Sequence, residues 1–169
     1  MTRKIFVLIF AGIVFSQQAF ALGLTMSERQ LNSILSLRFP IVETYMEYRL
    51  EASKPYLALY AATQSVAITA RINVINNGHK LTADATFKGQ IVFDKATNAL
   101  KVSNPLITQF EVIDNTFPKS EKSINTIKNT IGQHLPISVL IDFDHISNDL
   151  FQFTPSSLSI VEDGLRVEF

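Results

Sequence analysis

The longest alternating pattern in the chain is His79–Asp94, which reads HKLTADATFKGQIVFD. Successive side chains of a β-strand point to opposite faces, so this pattern predicts one long strand with an apolar face and a polar face. At about 3.3 Å per residue the strand would be roughly 50 Å long, whereas a compact domain of this size has a diameter of about 40 Å. The sheet is therefore expected to curve, or the domain to be elongated, and Gly89 offers a position at which the strand can bend. The apolar face consists of Leu81, Ala83, Ala85, Phe87, Gly89, Ile91 and Phe93.

Alternating segments on either side of this strand predict two more long strands. Ser65–Asn76 alternates clearly, and Asn76–Gly78 is a strong hairpin-turn signal. After a turn at Ala96–Asn98 a third strand follows, in which Asn104–Pro105 indicates a bulge or an edge position. Three consecutive antiparallel strands predict a meander. The apolar faces are Val66, Ile68, Ala70, Ile72 and Val74 in the first segment and Leu100, Val102, Leu106, Phe110 and Val112 in the second.

Two segments have the three-and-four spacing of amphipathic helices. The first begins at a capping-box pattern with Thr25 as the N-cap and Glu28 three residues later, and it is expected to end at Pro40. The second spans Pro118–Leu135, with Gly132 and Pro136 marking its end. Their apolar stripes are Leu31, Ile34 and Leu35 in the first helix and Ile124, Ile127, Ile131 and Leu135 in the second.

Shorter patterns complete an α+β domain. Ser53–Pro55 predicts a turn, Asp144–Phe153 is ambiguous, and no repeat, low-complexity tract or long linker divides the chain. One domain over residues 22–169 is expected. Short strands are predicted at Tyr45–Leu50, Tyr56–Tyr60 and Pro136–Phe143, and a closing hairpin is predicted from Leu158–Val161 and Leu165–Phe169.

The first 21 residues have the pattern of a secretory signal peptide. Arg3 and Lys4 precede an apolar run over Ile5–Phe15, and Ala19–Ala21 is a small-x-small cleavage site. The run is shorter than the roughly 20 residues that span a membrane, which disfavours an anchor. No cysteine follows it, so a lipoprotein is not expected. A soluble periplasmic protein cleaved after Ala21 is the prediction, and any membrane contact would be transient.

Charge and composition exclude several function classes. The chain has 15 basic and 15 acidic residues, and loss of Arg3 and Lys4 with the signal leaves 13 and 15, a net charge of minus two. No basic stripe favours nucleic-acid binding. The glycines are too far apart for a phosphate loop, and the absence of cysteine excludes disulfides and thiolate metal sites.

Catalytic and metal-binding patterns are weak. The histidines lie in separate segments, and the one cluster, Asp142–His145, fits a solvated turn better than a cation site. A fold-assembled Ser-His-acid site stays open, but no motif indicates it. We therefore expect a non-enzyme without cofactor or metal.

The opening LTMSERQLNSIL at residues 24–35, Phe39–Pro40, and the final hairpin at residues 158–169 together resemble the YceB-like family of bacterial periplasmic proteins. The family is similar to single-domain members of the tubular lipid-binding superfamily, in which a strongly curved antiparallel sheet rolls around a helix and leaves an apolar channel. The resemblance implies binding of a lipid or another elongated hydrophobic ligand. The chain departs from the better-known relatives, which resemble lipoproteins, because it lacks the N-terminal cysteine.

Two interpretations of the apolar faces remain. The pattern alone favours a dry core in which helices pack on the sheet, and this would suit a structural protein that binds an envelope protein. The resemblance favours an open channel. Its predicted lining is Leu31, Ile34, Leu35, Ile68, Ile72, Phe87, Ile91, Phe93, Phe110, Ile124, Ile127 and Ile131.

Overall fold

The structure is a computed structural model that describes residues 23–118, 120–133, 139–142 and 155–168. The predicted signal peptide at 1–21, Leu135 and Pro136, the ambiguous segment 144–153, and all of the Asp142–His145 cluster except Asp142 lie outside the described residues. The elements in chain order are β1 (Gly23–Met26), α1 (Glu28–Leu37), β2 (Ile41–Tyr45), β3 (Tyr48–Tyr60), a 3₁₀ turn (Ala61–Thr63), β4 (Ser65–Asn76), β5 (His79–Asp94), β6 (Ala99–Asn115), α2 (Ser120–Gln133), β7 (Val139–Asp142), β8 (Ser157–Val161) and β9 (Gly164–Glu168).

The described strands form two antiparallel sheets. Strands β2 to β7 make a six-stranded meander in chain order, and this sheet is curled into a half-barrel. The second sheet has the order β1-β9-β8, so both ends of the described chain meet in it. The prediction of an α+β fold with a curved antiparallel sheet is confirmed.

The central hairpin follows the sequence pattern closely. Strands β4 and β5 have the predicted bounds and pair in register from Ser65 with Gln90 to Asn76 with His79. Asn77 and Gly78 form the two-residue turn with φ of 47° and 78°. Such a turn requires positive φ at both positions, which asparagine and glycine adopt at low cost.

Three bulges interrupt the pairing of β5 with β6. At one of them Lys88 pairs with Leu106 and Gln90 with Ser103, so two residues of β6 lie opposite Gly89 alone. A Cβ on Gly89 would lie 2.6 Å from the Ser103 carbonyl oxygen, so the close approach requires glycine. A bulge bends its strand and increases the local twist, and three of them in one ladder help the sheet to curl.

The bulge at Asn104 and Pro105, which the sequence indicated, also corrects one predicted side-chain orientation. Leu106 was expected on the apolar face, but it is 71% exposed and lies opposite Lys88 on the outer face. Its neighbour Ile107 pairs with Phe87 and packs against the core instead. The extra bulge residue reverses the alternation at Leu106 and Ile107, and the next bulge, at Thr108, restores it, so Phe110 packs against the core as predicted.

The turn predicted at Ser53–Pro55 is wrong. Strand β3 continues through this segment, and the turn that precedes it lies at Met46 and Glu47. Because Ser53 pairs with Arg71 and Tyr56 with Thr69, Lys54 and Pro55 form another bulge, with Lys54 at a φ of 50°. The bulge accommodates a proline that would break a regular ladder.

The predicted N-cap Thr25 is also wrong, because Thr25 lies in β1 and pairs with Arg166 of β9. Ser27 caps α1 instead: its hydroxyl accepts a hydrogen bond from the Gln30 backbone N–H, and its own backbone N–H donates to the Gln30 side chain at 2.9 Å. The helix ends at Leu37, before the Phe39–Pro40 bond, which is cis. Strand β1 was not predicted, because its four residues pair only with the far end of the chain.

A single apolar cluster joins both sheets and both helices. Helix α1 contributes Leu31 and Leu35, and it is fixed to β3 by Asn32, whose side-chain amide accepts from the Leu57 N–H at 2.7 Å and donates to the Leu57 carbonyl oxygen at 2.8 Å. Helix α2 buries Ile127 and Ile131. The three-stranded sheet adds Met26, Ile160, Leu165 and Val167.

Candidate ligand-binding site

The fold brings the twelve predicted lining residues together, since all of them belong to the apolar cluster or pack against it. Seven are at most 3% exposed and five are partly buried. The buried ones are Leu31, Leu35, Ile68, Ile72, Phe87, Ile127 and Ile131, and the partly buried ones are Ile34, Ile91, Phe93, Phe110 and Ile124.

This difference in exposure divides the apolar face into two parts. Side chains with almost no accessible surface are in close contact with protein atoms on every side. The partly exposed side chains are therefore the positions that a ligand could touch without repacking of the core. The assignment of all twelve residues to a channel stays a prediction.

The strand register explains the shape of the buried part. In the middle of the half-barrel, Ala70 of β4 pairs with Ala85 of β5, and Ala83 lies in the next inward-facing row. All three alanines are almost fully buried. Because these side chains are small, other side chains of the apolar cluster fill the space over the centre of the sheet, while Phe87 projects into the interior from the same strand.

A cleft of about 260 Å³ opens where the 3₁₀ turn, β5 and β8 meet. Its volume is slightly below the roughly 300 to 1,000 Å³ that is usual for small-molecule sites. Of the predicted channel residues, Ile91 contributes to the lining that the structure describes. Ile91 also packs against the apolar cluster, so the cleft borders the core directly. The lining consists of Gln64, Gln90, Ile91, Leu158, Ser159, Ile160 and Leu165.

Gln64 forms one wall of the cleft and joins the two sheets. It follows the 3₁₀ turn in a left-handed conformation, with a φ of 47°. Its side-chain amide donates to the Ile160 carbonyl oxygen and accepts from the Ile160 N–H, both at 2.8 Å. The amide thus occupies the position at the edge of β8 that a neighbouring strand would take. No local sequence signal marks this contact, because the partners are 96 residues apart.

The two ion pairs that the structure describes lie outside the cleft. Arg71 and Asp84 form a cross-strand ion pair at 2.9 Å on the outer face of the half-barrel, and the guanidinium lowers the pKa of Asp84. At the β5–β6 turn the hydrogen bond from Lys101 lowers the pKa of Asp94 to about 2, with help from the Ala96 N–H. The described lining of the cleft contains amides, a hydroxyl and aliphatic groups, and no charged side chain.

One polar atom of the core was not anticipated from the sequence. Asn76, which ends the predicted strand and begins the predicted turn, is 8% exposed, and its Oδ1 has no hydrogen-bond partner in the described part of the chain. It lies at the end of β4, beside His79, which bonds to the Thr116 carbonyl oxygen. A ligand that supplied a donor at this end of the half-barrel would satisfy Asn76.

The described residues contain no group of three side chains suited to hold a metal ion, and within them no helix is long and apolar enough to cross a bilayer. No protein-family model matches the chain, and a search of curated proteins finds no significant match. Membership of the YceB-like family therefore stays a prediction from the sequence.

Proposed function

We propose that the protein binds a lipid or another elongated hydrophobic ligand in the bacterial periplasm, without catalysis. The observation that carries the proposal is the continuity between the cleft and the apolar cluster. Ile91 and Leu158 line the cleft and also pack against the cluster, so an acyl chain that enters the cleft meets apolar side chains at once.

In this proposal the six-stranded sheet wraps around helix α2, as in the tubular lipid-binding superfamily. Ile127 and Ile131 of α2 are buried, whereas Ile124 is only partly buried. A bound chain would separate α2 from the sheet and occupy the depth over the central alanines. The N-terminal helix α1 would stay in place through its contacts with β3.

The energy available from an acyl chain is sufficient for this opening. Each methylene that leaves water contributes about 0.8 kcal/mol, so burial of about fifteen of them, nearly the whole of an eighteen-carbon chain, contributes about 12 kcal/mol. Association and ordering of the ligand cost at least about 4 kcal/mol. A net affinity in the micromolar range therefore requires that the separation of α2 costs little, which the partly exposed positions around it favour.

A matched pair of substitutions tests the proposal. Ile91→Phe adds a large side chain inside the cleft, whereas Val92→Phe adds a ring at the next position, on the outer face. Displacement of a neutral fluorescent probe by monooleoylglycerol should weaken at least about tenfold in Ile91→Phe and stay unchanged in Val92→Phe. If both variants bind like the wild type, the cleft is not the entrance.

A filled interior with a protein partner is the second candidate, and the burial of seven predicted lining residues favours it. In that case Ile91→Phe would overpack a closed core and cost about 1 to 3 kcal/mol of stability. For a domain of about 150 residues this is a fall in melting temperature of roughly 2 to 12 °C. Wild-type protein that takes up no lipid, with this loss of stability in the variant, would favour an envelope-protein partner.

A further inference from the structure

The cleft exposes backbone hydrogen-bonding groups of β8. This strand lies at the edge of the described three-stranded sheet, next to β9. In an antiparallel ladder, alternate residues direct their N–H and C=O groups toward the partner strand and away from it. Ile160 directs both groups away from β9, because both are bonded to the Gln64 side chain.

Leu158 must direct its groups the same way, since it is two residues before Ile160 and pairs with Val167 at an equivalent position of the ladder. It also lines the cleft. In the described part of the chain, no residue outside β9 forms a hydrogen bond with Leu158. The cleft therefore offers one N–H donor and one C=O acceptor on the same edge.

An amide is the group that this protein already places on such edges. Gln64 bonds to both backbone groups of Ile160, and Asn32 bonds to both backbone groups of Leu57 on β3. In each pair a planar amide supplies one donor and one acceptor to a single strand residue. A ligand amide at Leu158 would repeat the bonding seen at Ile160, two residues earlier in β8.

The walls of the cleft select against a charged ligand. Ile91, Leu158 and Leu165 are aliphatic, and the described lining holds no cation that could pair with a carboxylate or a phosphate. Transfer of an unpaired charge into such a site is unfavourable. An uncharged amide fits both the edge and the walls.

We propose that the cleft binds the primary carboxamide of a fatty amide, whose C=O accepts from the Leu158 N–H and whose N–H on the same side donates to the Leu158 C=O, with the acyl chain directed past Ile91 into the apolar cluster. This inference rests on the proposed lipid-binding function and specifies the ligand class for the same site. It assigns recognition to the backbone of β8 and not to a particular side chain.

A series of four oleoyl probes isolates the amide. Oleamide supplies an N–H and a C=O on the same side, N,N-dimethyloleamide and methyl oleate supply only a C=O, and oleate supplies a carboxylate. One neutral hydrogen bond changes an affinity by about fivefold. Competition against a neutral fluorescent probe should therefore give oleamide an affinity about fivefold above the two acceptor-only probes and at least about tenfold above oleate.

Leu158→Pro removes the edge N–H and leaves the ladder with β9 intact, because proline is tolerated where an edge N–H faces away from the partner strand. Leu158→Ala is its control, since it shortens the same side chain and keeps the N–H. The lost N–H is the donor to the ligand C=O, so the readout is the affinity of oleamide and of N,N-dimethyloleamide for the two variants. Both probes should bind about fivefold more weakly to Leu158→Pro than to Leu158→Ala, and equal binding to the two variants would overturn the assignment to the Leu158 backbone.

Each alternative result has a distinct meaning. Equal affinity for all four probes would overturn the amide inference and leave the acyl-binding function in place, whereas failure of every probe to bind would overturn that function itself. Equally strong competition by N-acetylalanine N-methylamide, which has no long chain, would assign the cleft to peptides and overturn the fatty-amide assignment. If Leu158→Pro does not fold, the relative affinities of the four probes for the wild-type protein test the proposal.

Discussion

Truncation of Phe87 to alanine tests whether the long strand β5 faces the interior as its alternation requires. Phe87 is 2% exposed and lies in one inward-facing row between Ile68 of β4 and Ile107 of β6. A phenylalanine buries about 150 Å² or more, which at about 25 cal/mol per Å² corresponds to nearly 4 kcal/mol. The residual cavity adds to this loss, so we expect Phe87→Ala to lower the free energy of unfolding by about 3 to 5 kcal/mol.

The next residue in the strand supplies the control. Lys88 points outward, and its ammonium lies 4.8 Å from the centre of the Tyr60 ring. Lys88→Ala removes this exposed contact and should cost about 0.5 to 1 kcal/mol. Urea unfolding of both delipidated variants, followed by circular dichroism, measures the difference. Similar losses of less than about 1 kcal/mol in both variants would refute the register or the close packing of this face.

Three further predictions address other parts of the structure. Gly89→Ala should destabilise the protein by about 1 to 3 kcal/mol in the same assay, because the new Cβ would lie 2.5 Å from Val102 Cγ1; a loss below about 0.5 kcal/mol would contradict the close approach. The bonds that lower the pKa of Asp94 stabilise the folded state at pH values above the unfolded pKa of about 3.9, and this contribution is lost as the pH falls toward about 2. Asp94→Asn should therefore reduce the loss of stability between these pH values. An unchanged loss would argue against the Lys101 bond. Secretion with cleavage after Ala21 predicts an exported protein whose first residue is Leu22; N-terminal sequencing checks it, and a full-length chain in the membrane fraction would contradict it.

The central hairpin could be predicted in detail because its information is local. The alternation of β4 and β5 and the Asn77–Gly78 turn fix bounds, register and faces within 30 residues. The same rule failed at Leu106, since one bulge reverses the faces of the strand until the next bulge restores them. Proline indicated that a bulge was present but not how many residues it inserted.

The three-stranded sheet and the cleft could not be predicted in the same way. Strand β1 is four residues long and is stabilised by β9, more than 130 residues away in the chain. Gln64 has no distinctive neighbours in the sequence, and its role depends on the position of Ile160. The sequence therefore predicted the apolar face, whereas the polar edge of the cleft depends on how the two sheets meet.

Native mass spectrometry of protein purified from the periplasm without detergent tests the central claim most directly. The lipid-binding account predicts a wild-type population that carries an added mass in the range of an acyl lipid, which is released by organic extraction and replaced by the mass of oleamide after incubation with oleamide. A single ligand-free mass both before and after incubation with that probe, monooleoylglycerol and oleate would contradict the account.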